Sequence, residues 1–156
     1  MRLALFQIGK TSLNYINKGV EEYSKRINNY MPFELITLPD ERYTKSQSIE
    51  NLKIKEGKTI ISKIKKTDYV ILLDEKGKQF NSKEFSGFIN NKIQISKQQI
   101  IFIIGGAYGF SDETYKIADE KIALSKMTFP HQLIRLIFLE QLYRAFTILN
   151  NEPYHH

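Results

Sequence analysis

Two unbroken apolar runs, Tyr69-Val70-Ile71-Leu72-Leu73 and Ile100-Ile101-Phe102-Ile103-Ile104, narrow the folds open to this chain more than any other feature. A strand with one solvated face alternates apolar and polar residues. A run that is apolar at every position has both faces covered, as in a parallel sheet lying between helices. Around these runs the periodicity is helical. Residues 13–28 bring Leu13, Ile16, Val20, Tyr23 and Ile27 to one face, with Thr11 or Ser12 placed to cap the helix. Thr44-x-x-Gln47 reads as a capping box for a helix reaching about residue 64. Ser82 precedes a helix over 83–92, and Ser111-Asp112-Glu113 opens a short one with carboxylates at its positive end. Strands are expected at 2–8, 33–38, 69–73, 99–104 and around Ala123-Leu124, with residues 74–77 as the turn after the third. The last helix spans 130–150, with Pro130 in its first turn. Strand and helix alternate throughout, so the expected class is α/β. The expected architecture is one domain over 1–156, with a mainly parallel sheet flanked by helices.

The chain has 156 residues, enough to bury a full core without covalent staples. Its net charge of +6 comes from 23 Lys and Arg against 17 Asp and Glu, a balance that favours polyanionic partners such as RNA. Cysteine is absent, which excludes disulfides, cysteine nucleophiles and cysteine-ligated metals; no metal is expected. The Leu3-Ala4-Leu5-Phe6 run is broken by Gln7, too short for a signal or membrane helix. A soluble, cytoplasmic chain with no membrane partner is expected.

In open α/β sheets, ligands gather outside the C-terminal ends of the strands. Three segments leave such ends here: 73–77, 105–109 and 125–130. Gly105, Gly106 and Gly109 suit either a tight strand-to-helix turn or a close backbone approach to a ligand. Their spacing is not that of a dinucleotide fingerprint, and no Gly-Lys-Ser/Thr follows to make a P-loop. On the final helix, Leu133, Leu136, Ile137, Phe138, Leu139, Leu142, Tyr143, Phe146 and Leu149 surround nearly the whole barrel. Glu140, Arg144, Thr147 and Asn151 form one polar stripe; His131 and Arg135 form a second polar pair on the opposite face. Such a helix needs cover on several sides, either as a central helix of a monomer or with a partner subunit on one side. The tail Pro153-Tyr154-His155-His156 ends the chain with aromatic and titratable groups. Lys63, Lys65, Lys66, Lys76 and Lys78 read as solvated surface or as phosphate contacts.

Taken together in order, Ile103-Ile104-Gly105-Gly106-x-x-Gly109, Leu124-Ser125-Lys126-Met127-Thr128-Phe129-Pro130-His131, Glu140-Gln141-x-Tyr143-Arg144-Ala145 and Pro153-Tyr154-His155 resemble the ribosomal large subunit methyltransferase H family. The strand opening and the Met31–Glu34 segment match as well, so the likeness covers essentially the whole chain. The resemblance implies the SPOUT class of S-adenosylmethionine-dependent methyltransferases, a trefoil knot in the C-terminal part and an obligate homodimer. It also implies methylation of N3 of a pseudouridine in 23S rRNA of the large ribosomal subunit. By motif, the donor pocket would involve Leu73, Gly105, Leu124, Ser125, Lys126, Met127, Thr128 and Phe129. Two departures stand out: Ala107-Tyr108 fills the variable part of the glycine loop, and His156 stands where lysine or arginine is common.

The resemblance leaves chemistry to Arg144, Tyr154 and His155. Arg144 would stabilise charge on the carbonyl oxygens or bind phosphate, unless it serves only its i, i+4 pair with Glu140. Tyr154 would stack on or orient the base, and His155 would accept a proton or hold the base. The competing readings are a SPOUT methyltransferase acting on another RNA such as tRNA, and a non-catalytic RNA-binding ribosome-assembly factor.

Overall fold

A computed structural model describes residues 1–155. The elements run β1 (Arg2–Ile8), α1 (Asn14–Asn28), β2 (Phe33–Leu38), α2 (Ile49–Ile61), β3 (Asp68–Gln79), α3 (Ser82–Ile93), β4 (Gln99–Ile104), α4 (Asp112–Ile117), β5 (Glu120–Ala123) and α5 (His131–Leu149). The strands form one sheet in the order β2-β1-β4-β3-β5, and every pairing is parallel.

The apolar runs are covered on both faces, as their composition predicts. Alternate residues of a strand point to opposite layers. Leu3, Leu5, Ile71, Ile100 and Phe102 pack with Ile16 and Val20 of α1, Phe85 of α3, and Phe138 and Leu142 of α5. Ala4, Phe6, Val70, Leu72, Ile101 and Ile103 face the other way, against Ile60 of α2 and Phe110 before α4. Each fully buried side chain of this size contributes roughly 1.5–3 kcal/mol, so the central strands β1, β4 and β3 anchor both layers.

Local chemistry departs from the sequence reading at the helix starts. Neither Thr11 nor Ser12 caps α1; its N-cap position is Leu13, which has no side-chain oxygen. Instead Gln132 of α5 accepts the backbone N–H groups of Ser12 and Leu13 through Oε1, at 3.0 and 3.2 Å. Ser48, not the Thr44–Gln47 pair, caps α2 by accepting from Asn51 N–H. In α3 the cap is Asn81, one residue before Ser82, in a full capping box with Glu84. Residues 74–77 are not a turn that ends β3. They are the irregular middle of one long strand, which pairs with β5 at Leu73, loses register, and resumes at Lys78.

Candidate active site

A cavity of about 590 Å³ opens at the C-terminal ends of β4 and β5, beside the irregular middle of β3. Its walls come from the three segments singled out by strand ends. Leu73, Gly105, Leu124, Ser125, Met127, Thr128 and Phe129 all line it. Lys126 does not; it is exposed between two lining residues. The apolar wall is completed by Ile104, Ile122 and Ile134. Asp74, Glu75 and Asp112 contribute carboxylates, against the ammonium groups of Lys53 and Lys76. Asp74 is fixed by accepting from Tyr115 hydroxyl and from the Lys76 backbone N–H. Burial, reinforced by that bond to Asp74, pushes the Tyr115 phenol above its ordinary range. Ser125 Oγ accepts from Met127 N–H at 2.9 Å and so shapes the last loop.

Lys53, Asp112 and Tyr115 had no signature that could mark them as lining residues in sequence. They reach the cavity because α2 and α4 pack side by side.

Beneath the glycine loop lies a second group the sequence does not reveal. Glu56 of α2 is only 6% exposed, and its carboxyl fills the space where a Gly106 side chain would sit. A Cβ on Gly106 would lie 2.7 Å from Oε2 and 2.8 Å from Oε1. Burial first, then the charges of Asp40 and Glu41, push the Glu56 carboxyl up to about 7. Its folded value thus exceeds the unfolded one of 4.5. The stability tied to the neutral form is complete below pH 4.5 and is lost as pH rises through 7. Glu56→Gln should therefore gain about 2–3 kcal/mol over the parent at pH 8, with the gain shrinking towards zero at pH 4.5. Denaturation midpoints across that range read the effect directly; a gain independent of pH would contradict it.

At the C-terminal end of β1, where strand order reverses, sits Arg135. The sequence reading made Arg135 and His131 a second polar pair on one face, and of the two only His131 is exposed. The Arg135 side chain is 1% exposed, donating from Nη2 to the Ile8 carbonyl at 2.5 Å and from Nη1 to Thr11 Oγ1 at 2.9 Å. The last carbonyl of β1 has no further strand to bond, and the guanidinium takes that place. Burial lowers the Arg135 pKa, and nearby Asp40 opposes the shift.

At the far end of α5 the structure brings Arg144 and Tyr154 together, with His155 next along the chain. Arg144 pairs with Glu140, Nε to Oε1 at 3.0 Å, and its guanidinium lies 4.7 Å from the centre of the Tyr154 ring. Tyr154 hydroxyl shares hydrogen bonds with Tyr23 hydroxyl and Glu140 Oε1, each at 3.1 Å. Tyr143 meets the same ring edge-on at 4.8 Å. Burial, then the bond to Tyr23, raises the Tyr154 phenol well above its usual range. His155 is half-buried, and its Nδ1 has no hydrogen-bond partner among the described residues. Thr147, read as part of the polar stripe, is fully buried and donates to the Arg144 carbonyl. His156 lies outside the described residues.

The tail and the cavity do not meet within one chain. Ile134 lines the cavity and Arg144 stands ten residues further along α5, which is about 15 Å at 1.5 Å per residue. No helix among the described residues is long and apolar enough to cross a membrane.

An all-parallel sheet with a cavity over three adjacent strand ends and an aromatic–arginine tail is the setting in which the comparisons fall. A family model described as "Predicted SPOUT methyltransferase" matches residues 1–155, and the chain belongs to the SPOUT methyltransferase family. Among its relatives is a protein from Parabacteroides distasonis named Ribosomal RNA large subunit methyltransferase H. It is 50% identical over 156 residues, covering 100% of this chain and 99% of the relative. A protein of the same name from Christiangramia forsetii is 51% identical with the same coverage. Among solved structures, a probable methylase family protein from Haemophilus influenzae aligns with a TM-score of 0.53 at 10% identity. That alignment covers 96% of this chain and 66% of the other. A tRNA (m1G37) methyltransferase from Aquifex aeolicus aligns at 0.53 and 14% identity, covering 92% and 70%. At those identities the two structures speak for the fold alone.

Proposed function

We propose that this protein is an enzyme transferring a methyl group from S-adenosylmethionine to N3 of a pseudouridine in 23S rRNA of the large ribosomal subunit. The observation that carries the reading is the full-length identity of about 50% to proteins named Ribosomal RNA large subunit methyltransferase H. One domain over 1–156, a cytoplasmic location and the knotted threading of the family's C-terminal part belong to the same proposal.

The cavity suits the donor. Its volume lies in the range of small-molecule sites, Leu73, Leu124 and Phe129 offer apolar walls for an adenine, and residues 105–109 offer backbone. Carboxylates outnumber ammonium groups along the lining, which favours a ligand carrying positive charge. When bound, the donor supplies an electrophilic methyl on a sulfonium. The chain's own residues then have to hold the acceptor nitrogen in line and take its proton. His155, whose buried Nδ1 has no hydrogen-bond partner among the described residues, would accept or relay that proton. Arg144 would stabilise charge on the flanking carbonyl oxygens. One face of Tyr154 is taken by Arg144, so Tyr154 serves more to fix the arginine than to stack on the base.

The separation of tail and cavity along α5 is bridged if a second copy lays its α5 against the first. Leu133, Ile137, Glu140, Arg144 and Ile148 recur along one side of α5 and are all half-buried, a mixed apolar and charged face suited to such an interface. Each cavity would then be completed by the partner's tail. Mixing a His155→Ala chain with a cavity-defective chain should restore part of the activity that neither retains alone; no recovery would count against a shared site.

His155→Ala and Tyr154→Ala should each lower methyl transfer about 10- to 100-fold while donor affinity, by calorimetry, stays within twofold. Equal loss of donor affinity would contradict the division between tail and cavity. The reading itself is tested by labelled donor offered with unmethylated ribosomes, isolated subunits, free rRNA and tRNA. Label confined to large-subunit RNA supports it; label in tRNA alone overturns it.

A further inference from the structure

We propose that Tyr43 and Tyr108 form a stacking platform for a nucleobase of the substrate RNA at the mouth of the donor cavity. This rests on the RNA-methylating reading above and adds a substrate-holding element that none of the motifs contains. Tyr43 lies in the connection between β2 and α2. Tyr108 lies in the glycine loop, between Gly106 and Gly109.

The two rings approach to 6.2 Å between centroids, tilted by 44°. Despite that contact they remain 53% and 47% exposed. Single exposed aromatics are ordinary on protein surfaces; two in contact at the edge of a ligand cavity are less so. Tyr108 is part of the cavity lining and Tyr43 is not. The pair therefore spans from the donor site outward, where the nucleic acid has to arrive. Met127, 77% exposed, stands in another lining loop of the same cavity and adds apolar surface.

The charges fit the same occupant. Arg42 and Lys45 flank Tyr43 and Lys126 precedes Met127, all three exposed and none in an ion pair among the described residues. Glu41 precedes Arg42, so the three cations surround the exposed side chains without making the whole connection basic, and they are placed to meet phosphates. Aromatic faces interleaved with cations are the arrangement that holds unstacked bases and their backbone. A protein partner would need a wider apolar patch than two tyrosines and a methionine provide.

The test uses the full-length protein in two measurements. In steady-state methylation of unmethylated ribosomes, Tyr43→Ala and Tyr108→Ala should each raise KM for ribosomes about tenfold, with kcat changed less. Tyr108→Phe should stay within twofold of the parent, because the face and not the hydroxyl does the holding. Tyr43→Ala should leave the calorimetric Kd for S-adenosylmethionine within twofold. In the second measurement, a fluorescent single-stranded oligoribonucleotide is titrated into protein saturated with S-adenosylhomocysteine. Both alanine variants should bind it more weakly by a similar factor. Unchanged KM and unchanged RNA affinity would overturn the platform, as would a Tyr108→Phe defect equal to that of alanine. A parallel loss of donor affinity in Tyr43→Ala would make the pair a donor lid instead. If the parent methylates no ribosomal RNA, the functional reading fails, and the oligonucleotide titration still decides whether the pair holds RNA.

Discussion

Gly77→Ala should destabilise the protein by about 3 kcal/mol or more and remove its donor affinity with it. A Cβ at position 77 would lie 2.4, 2.5 and 2.6 Å from the backbone C, N and Cα of Ile122. No rotamer change relieves this, because the obstacle is main chain. Either β3 or β5 has to move. Ile122 pairs with Leu73 on one side of the irregular stretch of β3 and with Lys78 on the other, so moving it disturbs both pairings. Ile122 and Leu73 both line the cavity, which ties the stability defect to a binding defect. Gly87→Ala is the control: the site is on α3, exposed, with open space around it. It should stabilise by about 0.5–1 kcal/mol through helix propensity. Denaturant midpoints with donor calorimetry measure both; a Gly77→Ala protein as stable as the parent would mean that the crossing is looser than the structure has it.

Arg135→Ala should cost about 3–5 kcal/mol, through two separable contributions. The first is the void left by the largest fully buried side chain among the described residues. The second is the desertion of the Ile8 carbonyl and Thr11 hydroxyl, which the guanidinium satisfies. Arg135→Met keeps most of the volume and removes only the hydrogen bonds, and it also relieves the burial of a charge that has no carboxylate in salt-bridge contact among the described residues. It should therefore cost less, about 1–3 kcal/mol. If methionine were as damaging as alanine, hydrogen bonding would outweigh packing at this site. Both variants should weaken donor binding, because Ile134, the preceding residue, is part of the cavity wall.

Strand bounds at 2–8, 33–38 and 99–104 and the parallel class were readable because they follow from composition and periodicity along the chain. The cavity-lining loops were readable for a related reason: ligand sites gather at strand ends, and three such ends carried glycine or turn residues. What escaped depends on partners distant in sequence. Arg135 looks like any solvated helix arginine until β1 presents a carbonyl to it. Gln132 substitutes for a local cap that Thr11 and Ser12 were suited to give. Residues 74–77 carry the charges and glycine of a turn, yet pairing with β5 on either side draws them into one strand. Glu56 gives no sign of burial, since nothing local announces that Gly106 will settle on its carboxyl. Lys126 lies within the lining motif, but its two neighbours face the cavity and it does not.

The fastening of α5 to the start of the chain bears on the order of assembly during synthesis. Arg135 closes the end of β1 and Gln132 closes the start of α1, across 127 and 120 residues of sequence. A nascent chain that has made only its first four strands holds a first strand with a bare terminal carbonyl and a first helix without its cap. Contacts so far apart in sequence form late and slowly. The N-terminal half therefore waits on the final helix, and a truncated product stopped short of residue 131 should be degraded rather than accumulate as a partly working domain.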